Sequence, residues 1–480
     1  ESHQPGADGR PDFAGERFIY FGDQANMPYG NYPSSDRELF LRELIVKDAV
    51  FLLGRRYWSR GDAGYGSNSN LSTKSMTKST TDANSLGSGN SSTAANKLET
   101  NKLETDKLET DKPPVKAIVI ACNTATAYGI GDLRAAMQRW DVPVEVIGVV
   151  EAGSHSVLQR LSKTEKPGAV GVLATVGTCS CRAYPVAIEK SAEAAKRPLP
   201  PVVQQGSIGL AGAIEGDFSY VDATLGVGPE AARSTPPGAG SAAPGSAAQA
   251  PASAPSQTSA PRHAPYLGPT TTHKTAPLDP KLMSRYAFDA RGLVGTVAAP
   301  ESLQLNSIDN YVRYDVVTLV ETHRRSGERR PLDQVVLGCT HFPLAAASIR
   351  RELARLREWR DGDGSQPYRA LIAADVALID PAEATARELY QSLTKGQLFA
   401  DGPPASGDRF FMSVPNPQSP GVELARTGGL STTYKYGRDC GRFEIEDVKC
   451  VPIVESLIPA PTAHLIREKL PEVAKRLKFD

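Results

Sequence analysis

Two of the six cysteines in this 480-residue chain stand in turns of similar composition. Cys122 lies in the segment IVIACNT, and Cys339 lies in the segment VVLGCTH. Each cysteine follows an apolar run that ends in a small residue, and each precedes two polar residues. An amphipathic helix is predicted after each turn, over residues 125–140 and 343–359. The shared plan is a weak internal duplication that puts two thiols at corresponding strand-to-helix junctions.

Thiols at such junctions are suited to proton transfer. In open parallel sheets, ligands bind beyond the carboxyl ends of the strands. The partial positive charge and free N–H groups of a helix N-terminus lower the pKa of a thiol and hold anions. A lone cysteine at a strand end is usually a small buried side chain, but two in matching polar turns are hard to explain by packing alone. We therefore expect Cys122 and Cys339 to form a reactive pair.

The segments around these turns alternate short apolar strands with amphipathic helices. This alternation predicts an α/β fold with parallel sheets. Ser35 and Glu38 have the spacing of a capping box, which predicts a helix over residues 35–53. Asp380 followed by Pro381 predicts another helix start. The predicted strands are 18–21, 117–121, 144–149, 169–174, 334–338 and part of 370–379.

Two stretches interrupt the globular composition. Residues 59–114 combine a Ser/Thr/Asn/Gly-rich tract with a repeated pentapeptide, KLETN or KLETD. A five-residue period matches neither a helix nor a strand, so this stretch is predicted to be a solvated insertion. Residues 231–277 are rich in Pro, Ala, Ser and Gly, and they are predicted to form a disordered loop.

The composition argues against several classes of partner. Lys+Arg and Asp+Glu both number 54, so no net charge attracts nucleic acid or an anionic membrane. The longest apolar runs are far shorter than the roughly 20 residues that cross a bilayer. No secretory signal is visible, and the few cysteines favour a reducing compartment. We expect a cytoplasmic protein with a small-molecule partner.

Cofactor and metal motifs are also missing from the sequence. Cys179 and Cys181 form a C-x-C pair, but no second pair with ligand spacing accompanies it, so incidental thiols are favoured over a zinc site. Neither a Gly-x-Gly-x-x-Gly turn nor a Gly-Lys-Ser/Thr phosphate loop occurs. Sequence pattern alone leaves a pyridoxal phosphate lysine open, although two opposed thiols make it unnecessary. We expect no cofactor and no metal.

At the two cysteine turns the sequence resembles the glutamate racemases of the aspartate/glutamate racemase family. Segments 121–125 (ACNTA) and 337–344 (LGCTHFPL) resemble the family's two catalytic motifs. Further matching segments occur in the family's order and cover nearly everything outside the two insertions; they are 20–23, 28–30, 174–178, 214–215, 378–381, 410–413 and 448–453.

The resemblance implies cofactor-independent racemisation of L-glutamate to D-glutamate, which supplies peptidoglycan synthesis. One thiolate would remove the Cα proton while the opposite thiol protonates the other face. Cys122 and Cys339 would exchange the roles of acid and base when the direction of the reaction reverses. It also implies two pseudo-symmetric parallel-sheet α/β domains with the active site in the cleft between them. The first would combine residues 1–145 and 371–480, and the second would span 146–370. A homodimer is one assembly consistent with the family.

The family's site residues carry over to matching positions in this chain. His341 and Glu215 are the implied catalytic partners of the second thiol. The alternatives are a packing or helix-start role for His341, simple solvation for Glu215 and turn capping for Thr178. The implied substrate contacts are Tyr29, Gly30, Asn123, Thr124, Thr178, Thr340 and His341.

The chain departs from the family at its beginning. The family starts with a strand that ends in Asp-Ser-Gly, whose carboxylate assists the first thiol, and no Asp-Ser-Gly occurs here. Because residue 1 is Glu rather than Met, we expect an incomplete N-terminus; the alternative is an enzyme without its assisting carboxylate. The numbered chain would then lack a strand from the middle of one sheet, leaving pairing edges exposed. We expect it to have weak activity or none.

Three other functions remain open from the sequence. Racemisation of aspartate or another amino acid would use the same thiols, because side-chain discrimination depends on pocket shape. A catalytically silent ligand-binding protein could share the fold. A thiol-redox or metal protein would form a Cys122–Cys339 disulfide or bind zinc.

Overall fold

The computed structural model describes residues 13, 15–59, 107–161, 167–222, 265–400, 407–425 and 427–479. Within these ranges the chain forms thirteen strands and thirteen α-helices. The strands are β1 (Ile19–Gly22), β2 (Tyr57–Ser59), β3 (Lys107–Glu109), β4 (Ala117–Ile120), β5 (Glu145–Gly148), β6 (Ala169–Thr175), β7 (Val202–Ser207), β8 (Leu293–Val294), β9 (Gln304–Leu305), β10 (Leu332–Gly338), β11 (Ile372–Ile379), β12 (Arg409–Pro415) and β13 (Val448–Pro452). The helices are α1 (Glu38–Leu53), α2 (Asn123–Arg139), α3 (Val149–Leu161), α4 (Val176–Ser180), α5 (Ala183–Ala194), α6 (Leu210–Glu215), α7 (Met283–Tyr286), α8 (Ile308–Arg325), α9 (Ala346–Arg357), α10 (Pro381–Lys395), α11 (Thr432–Gly437), α12 (Ala460–Lys469) and α13 (Pro471–Leu477).

The largest sheet is parallel and has the strand order β11-β10-β6-β7. Its central strand β6 has the sequence AVGVLAT, and six of its seven residues are buried. A continuous apolar run of this kind is typical of a strand covered by helices on both faces. One face packs against α3 and α5 through residues such as Val157 and Ile188. The other packs against α8 and α9 through residues such as Val316 and Leu353.

Two smaller sheets are formed by β4 with β5 and by β1, β12 and β13. Strands β4 and β5 pair in parallel and share a core with α1 and α2, in which Leu41, Ile118 and Leu133 are buried. Strand β12 pairs in parallel with β1 and antiparallel with β13. Among the described residues, β1 and β4 each pair on one edge only. The mixed α/β class and the parallel pairing predicted from the sequence are confirmed.

The strand pairings bear on the predicted domain limits. Strand β5 (Glu145–Gly148) pairs with β4 and therefore belongs with the first predicted domain, although that domain was predicted to end at residue 145. Strand β11 pairs with β10 and therefore joins the larger sheet, although the prediction gave residues from 371 onward to the first domain. The division into two domains stays a prediction. Boundaries placed after Gly148 and after Ile379 would keep each parallel sheet within one domain.

The predicted start of the first helix was wrong. Ser35 ends a short 3-10 helix, Pro33–Ser35, and Asp36 has a left-handed backbone with φ of 56°. The Ser35 hydroxyl donates backward to the Asn31 carbonyl at 3.0 Å, so it does not cap α1. Helix α1 begins at Glu38 instead. By contrast, Asp380 caps α10 as predicted, because its carboxylate accepts the N–H of Ala382 at 2.9 Å.

Both insertions were predicted too wide. Residues 107–109 form β3, which pairs antiparallel with β2, and Lys112 is fully buried. Residues 265–277 are also ordered by packing, because Ala276 is buried and the N–H of Leu305 donates to the Tyr266 hydroxyl at 3.0 Å. The remaining parts of the two predicted insertions, 60–106 and 231–264, lie outside the described residues.

None of the helices in the described ranges has both the length and the apolar character needed to cross a bilayer.

Candidate active site

The first cysteine turn connects β4 to α2. Cys122 is the N-cap residue of α2, with extended backbone angles, and its carbonyl accepts the Thr126 N–H at 2.9 Å. The backbone N–H groups of Thr124 and Ala125 hydrogen-bond the Cys122 sulfur. Asn123 and Thr124 follow in the first helical turn, and both are buried. The junction predicted from the sequence is therefore present at Cys122.

The second cysteine turn follows β10 and differs in its helix. Cys339 is buried and leads into a 3-10 helix, Phe342–Ala345, before α9 begins at Ala346. The expectation that an α-helix N-terminus directly follows each thiol is thus met at Cys122 but not at Cys339. Pro343 occupies the second position of the 3-10 turn, and its fixed backbone angle together with its missing N–H favours such a tight turn.

An imidazole and a carboxylate accompany Cys339. The Nδ1 atom of His341 lies 3.7 Å from the Cys339 sulfur. Its Nε2 atom lies 2.7 Å from a carboxylate oxygen of Glu215, the last residue of α6. Thr340 is exposed, and its hydroxyl lies 3.5 Å from the same Nδ1 atom. The structure thus brings four of the predicted site residues into one chain of polar contacts.

The His341 ring is held in its charged form. Burial lowers the pKa of His341, but the hydrogen bonds and negative charges of Cys339 and Glu215 outweigh burial and raise the pKa to about 10. At neutral pH the ring therefore carries a proton on both nitrogens. It can donate one hydrogen bond to Glu215 and one to the Cys339 sulfur, and the second of these stabilises a thiolate.

The Cys122 thiol is protonated in the absence of a ligand. Burial raises its pKa to about 11, and the negative charge of Cys339 adds to this rise, against the lowering effect of the backbone N–H groups of Thr124 and Ala125. The sequence predicted a lowered thiol pKa at this helix start, and that prediction is wrong for Cys122. Loss of water outweighs the helix terminus here.

Three threonine hydroxyls form a cluster beside the Cys122 turn. The Thr124 hydroxyl oxygen lies 3.2 Å from those of Thr175 and Thr178, which are 3.0 Å apart. Thr175 ends β6 and caps α4, because its hydroxyl accepts the Thr178 N–H at 3.3 Å. Hydroxyls that bond to one another can rotate to donate to an anion. Thr178 therefore joins the predicted site through its own hydroxyl, in addition to its place in the capped turn.

Residues 28–30, one of the segments that resemble the family, pack against this cluster. A Cβ atom on Gly30 would lie 3.7 Å from the Thr175 hydroxyl, and a Cβ atom on Gly177 would lie 3.1 Å from the Gly30 backbone. The side chain of Tyr29 instead points into the core, where its hydroxyl contacts Asp23 at 2.5 Å and Asp48 at 2.7 Å. Any ligand contact from Tyr29 must therefore come from its backbone.

Tyr184 connects the two cysteine turns, and sequence reasoning missed it. It lies on α5, is fully buried, and donates its hydroxyl proton to the Asn123 side-chain oxygen at 2.6 Å. A Cβ atom on Gly338, next to Cys339, would lie only 2.9 Å from its ring. No motif marks a single tyrosine on an amphipathic helix, so the sequence offers no signal for this role.

Within the described residues, no three His, Cys, Asp or Glu side chains gather as metal ligands.

Comparisons with known proteins bear on these motifs. The chain is 39% identical over 107 residues to a glutamate racemase of Limosilactobacillus fermentum, which covers 21% of this chain and 37% of the relative. It is 43% identical over 75 residues to one from Listeria monocytogenes, covering 16% and 25%, respectively. The chain is similar to glutamate racemases. The resemblance inferred from the cysteine motifs is confirmed over these stretches.

The chain spans only part of the length of these glutamate racemases, 37% of the Limosilactobacillus protein and 25% of the Listeria protein. No family model matches it. Among solved structures, a glutamate racemase isoform from Bacillus anthracis aligns with 17% identity and a TM-score of 0.41, covering 83% of this chain and 80% of that one. The glutamate racemase of Francisella tularensis, solved with D-glutamate, aligns with 16% identity and a TM-score of 0.40, covering 89% and 86%.

Proposed function

We propose that this chain is a cofactor-independent amino-acid racemase that interconverts L- and D-glutamate with Cys122 and Cys339 as opposed acid and base. One observation carries the proposal. The two thiols follow the ends of β4 and β10, Tyr184 contacts both of their turns, and a cluster of threonine hydroxyls lies beside Cys122. Inversion at Cα needs a base on one face and an acid on the other, and this pair of turns supplies both.

The proton steps follow from the protonation states of the two turns. We assign Cys339 as the base, because charged His341 can donate a hydrogen bond to its sulfur and so stabilise a thiolate. That thiolate takes the Cα proton, which breaks the C–H bond and leaves a carbanion. Cys122, which holds its proton at neutral pH, then delivers it to the opposite face. Cys339 ends as a thiol and Cys122 as a thiolate, and the reverse reaction starts from that form.

The carboxylate contacts come from the groups around Cys122. A stable Cα–H bond breaks only if fixed donors stabilise the negative charge that develops. The N-terminal turn of α2 offers the side chains of Asn123 and Thr124 there, at the positive end of the helix dipole. The hydroxyl of Thr178, the backbone of Gly30 and the exposed hydroxyl of Thr340 complete the proposed contacts.

The domain organisation is part of the same proposal. We propose that the β4–β5 pair and the β1-β12-β13 sheet belong to one α/β unit, and that the four-stranded sheet belongs to the other. Cys122 follows the first unit's β4 and Cys339 follows the second unit's β10, so the site would lie between pseudo-symmetric halves. The product D-glutamate would serve peptidoglycan synthesis in the cytoplasm, and a homodimer remains the proposed assembly.

Deuterium exchange into Cα tests the reaction directly. The unmodified chain in D₂O should incorporate one solvent deuterium at Cα of glutamate as the opposite enantiomer forms, at the low rate expected of a chain without the Asp-Ser-Gly carboxylate. Cys122→Ser and Cys339→Ser should each abolish racemisation, because a serine hydroxyl is a far weaker acid and base than a thiol at neutral pH. Cys440→Ser, which alters an exposed cysteine outside the site, is the matched control and should leave the rate unchanged.

A panel of amino acids tests the substrate. Faster racemisation of aspartate than of glutamate would assign the chain to the other substrate of this chemistry. Glutamate binding without deuterium incorporation would instead identify a silent ligand-binding protein. Racemisation that survives both cysteine substitutions would refute the two-thiol mechanism.

A further inference from the structure

Tyr184 contacts both cysteine turns although it belongs to neither. Its hydroxyl donates to the Asn123 side-chain oxygen, one residue after Cys122, at 2.6 Å. Its ring lies beneath Gly338, one residue before Cys339, where even a methyl group would come within 2.9 Å of it. A fully buried tyrosine can therefore set the position of both turns at once.

The hydrogen bond to Asn123 also fixes which way the amide faces. A carboxamide has an oxygen that accepts and a nitrogen that donates two hydrogen bonds. Because the Tyr184 hydroxyl donates to the oxygen, the nitrogen must point away from it. Among the described residues this nitrogen donates to no protein group, even though Asn123 is only 4% exposed. Two N–H donors beside Cys122 are thus left for a ligand.

The direction of this hydrogen bond does not change with pH near neutrality. Burial and the nearby negative charge of Cys339 raise the pKa of Tyr184 well above 10. The phenol therefore remains a donor, and the Asn123 oxygen remains its acceptor.

We propose that Tyr184 is a positioning residue that holds the Asn123 amide with both N–H groups toward the substrate's α-carboxylate, while its ring braces the Cys339 turn. The inference rests on the proposed racemase function. Negative charge moves onto the carboxylate oxygens as the Cα proton leaves, so a correctly oriented amide matters most in the transition state. A freed amide would spend part of its time flipped, with its oxygen facing that charge.

Tyr184→Phe keeps the ring and removes only the hydroxyl. We expect kcat/KM to fall about tenfold, which corresponds to the net value of one hydrogen bond, with most of the loss in kcat. Tyr314→Phe is the matched control, because Tyr314 is equally buried and its hydroxyl bonds to the Pro277 carbonyl. Its kinetics should be unchanged, whereas an equal loss in both variants would overturn the proposal.

A double-mutant cycle separates positioning from general packing. Asn123→Asp replaces the amide nitrogen with oxygen while keeping the acceptor for Tyr184. If Tyr184 acts through the amide, its substitution should cost less than twofold in the Asn123→Asp background. If Tyr184→Phe lowers kcat/KM by the same factor with and without Asn123→Asp, Tyr184 acts by another route and the proposal is overturned.

An amide readout keeps this inference separate from the racemase proposal. The ¹⁵N-labelled side-chain amide of Asn123, assigned by its loss in Asn123→Asp, should shift in Tyr184→Phe and stay in place in Tyr314→Phe. This measurement needs no turnover. If the chain has no racemase activity, the proposed function is refuted, but the amide signals still test how Tyr184 orients Asn123. Unchanged amide signals in Tyr184→Phe would overturn the positioning role itself.

Discussion

A single tyrosine hydroxyl, that of Tyr29, is hydrogen-bonded to two carboxyl groups, buried Asp23 and partly buried Asp48. The Tyr29 hydroxyl lies 2.5 Å from an oxygen of Asp23 and 2.7 Å from an oxygen of Asp48. The hydroxyl has only one proton to donate, so one of the two carboxyl groups must itself be protonated and donate to it. Asp23 also accepts from Asn26 at 2.9 Å and from Ser413 at 2.6 Å. Asp23 is therefore the acceptor of these hydrogen bonds, and Asp48 holds the proton.

The electrostatics agree with this assignment. Burial raises the pKa of Asp48 well above 3.8, and the negative charge of Asp23 raises it further, against the lowering effects of the Tyr29 hydrogen bond and of Lys47. Burial raises the pKa of Cys450 well above 9, and the negative charge on the Asp23–Asp48 pair adds to this rise. A neutral Asp48 thus avoids a second negative charge in this cluster.

Asparagine substitutions should separate the two carboxyl groups. Asp48→Asn copies a protonated carboxyl, so we expect it to change the free energy of unfolding by less than about 1 kcal/mol near pH 5. Asp23→Asn removes a charged acceptor of three side chains. Hydrogen bonds to charged groups contribute about 1.5–3 kcal/mol each, and part of that remains with the new amide oxygen. We expect a loss of about 3 kcal/mol.

The pH dependence gives a signed test. Asp48 has a raised pKa when folded, so above pH 4 the folded chain keeps a proton that the unfolded chain releases. Its stabilising contribution is present below pH 4 and is lost as the pH rises toward the folded pKa, by up to about 1.4 kcal/mol per pH unit. Asp48→Asn removes this loss, so relative to the unmodified chain it should become more stable from pH 5 to pH 7.

Urea unfolding followed by circular dichroism at pH 5, 6 and 7 measures these differences. A larger loss from Asp48→Asn than from Asp23→Asn would refute the assignment of the proton. A stability difference between Asp48→Asn and the unmodified chain that stays constant from pH 5 to pH 7 would refute the raised pKa.

Three further substitutions test other parts of the structure. Glu215→Gln should bring the pKa of His341 down from about 10 and lower kcat/KM, as read by ¹⁵N imidazole shifts and steady-state rates; an unchanged pKa would contradict the pairing. Gly338→Ala puts a methyl group 2.9 Å from the Tyr184 ring, so racemisation should fall at least about 100-fold while circular dichroism stays unchanged. Burial lowers the pKa of Lys112 to about 8, so stability should rise from pH 8 toward 10 in the unmodified chain but not in Lys112→Met, compared by urea unfolding.

The sequence was sufficient to predict the strand-to-helix junctions. The apolar run before Cys122 forms β4, which ends two residues before that cysteine. The run before Cys339 forms β10, which ends directly before it. Local pattern determines such elements, because a buried parallel strand must be apolar along its length. The same reasoning failed at Ser35, where a left-handed residue at Asp36 ends the 3-10 helix and delays α1.

The contacts between distant segments were beyond sequence reasoning. Tyr184 and Asn123 are 61 positions apart, and His341 and Glu215 are 126 apart. Periodicity gives the face of a helix but not the partner of a single side chain. The Cys122 pKa was mispredicted for the same reason, because the extent of burial depends on what the tertiary fold packs around the sulfur.

The two cysteine turns share a plan but differ in electrostatics, and this difference has a kinetic consequence. Cys339 has a charged imidazole beside it, whereas Cys122 is a partly buried thiol with a pKa of about 11. Reaction of one enantiomer therefore starts from the resting protonation state, and reaction of the other starts from a rarer form. L- and D-glutamate have equal free energies in water, so kcat/KM must be the same in both directions.

We therefore expect kcat and KM each to differ several-fold between the two directions at pH 7, by the same factor. Initial rates measured from each pure enantiomer by circular dichroism give both constants. The substitution Glu215→Gln removes the carboxylate that pairs with His341. It should shrink that factor, because His341 stabilises a Cys339 thiolate only while its ring stays protonated. Equal kcat values in both directions, unaffected by Glu215→Gln, would contradict the assignment of Cys339 as the resting thiolate.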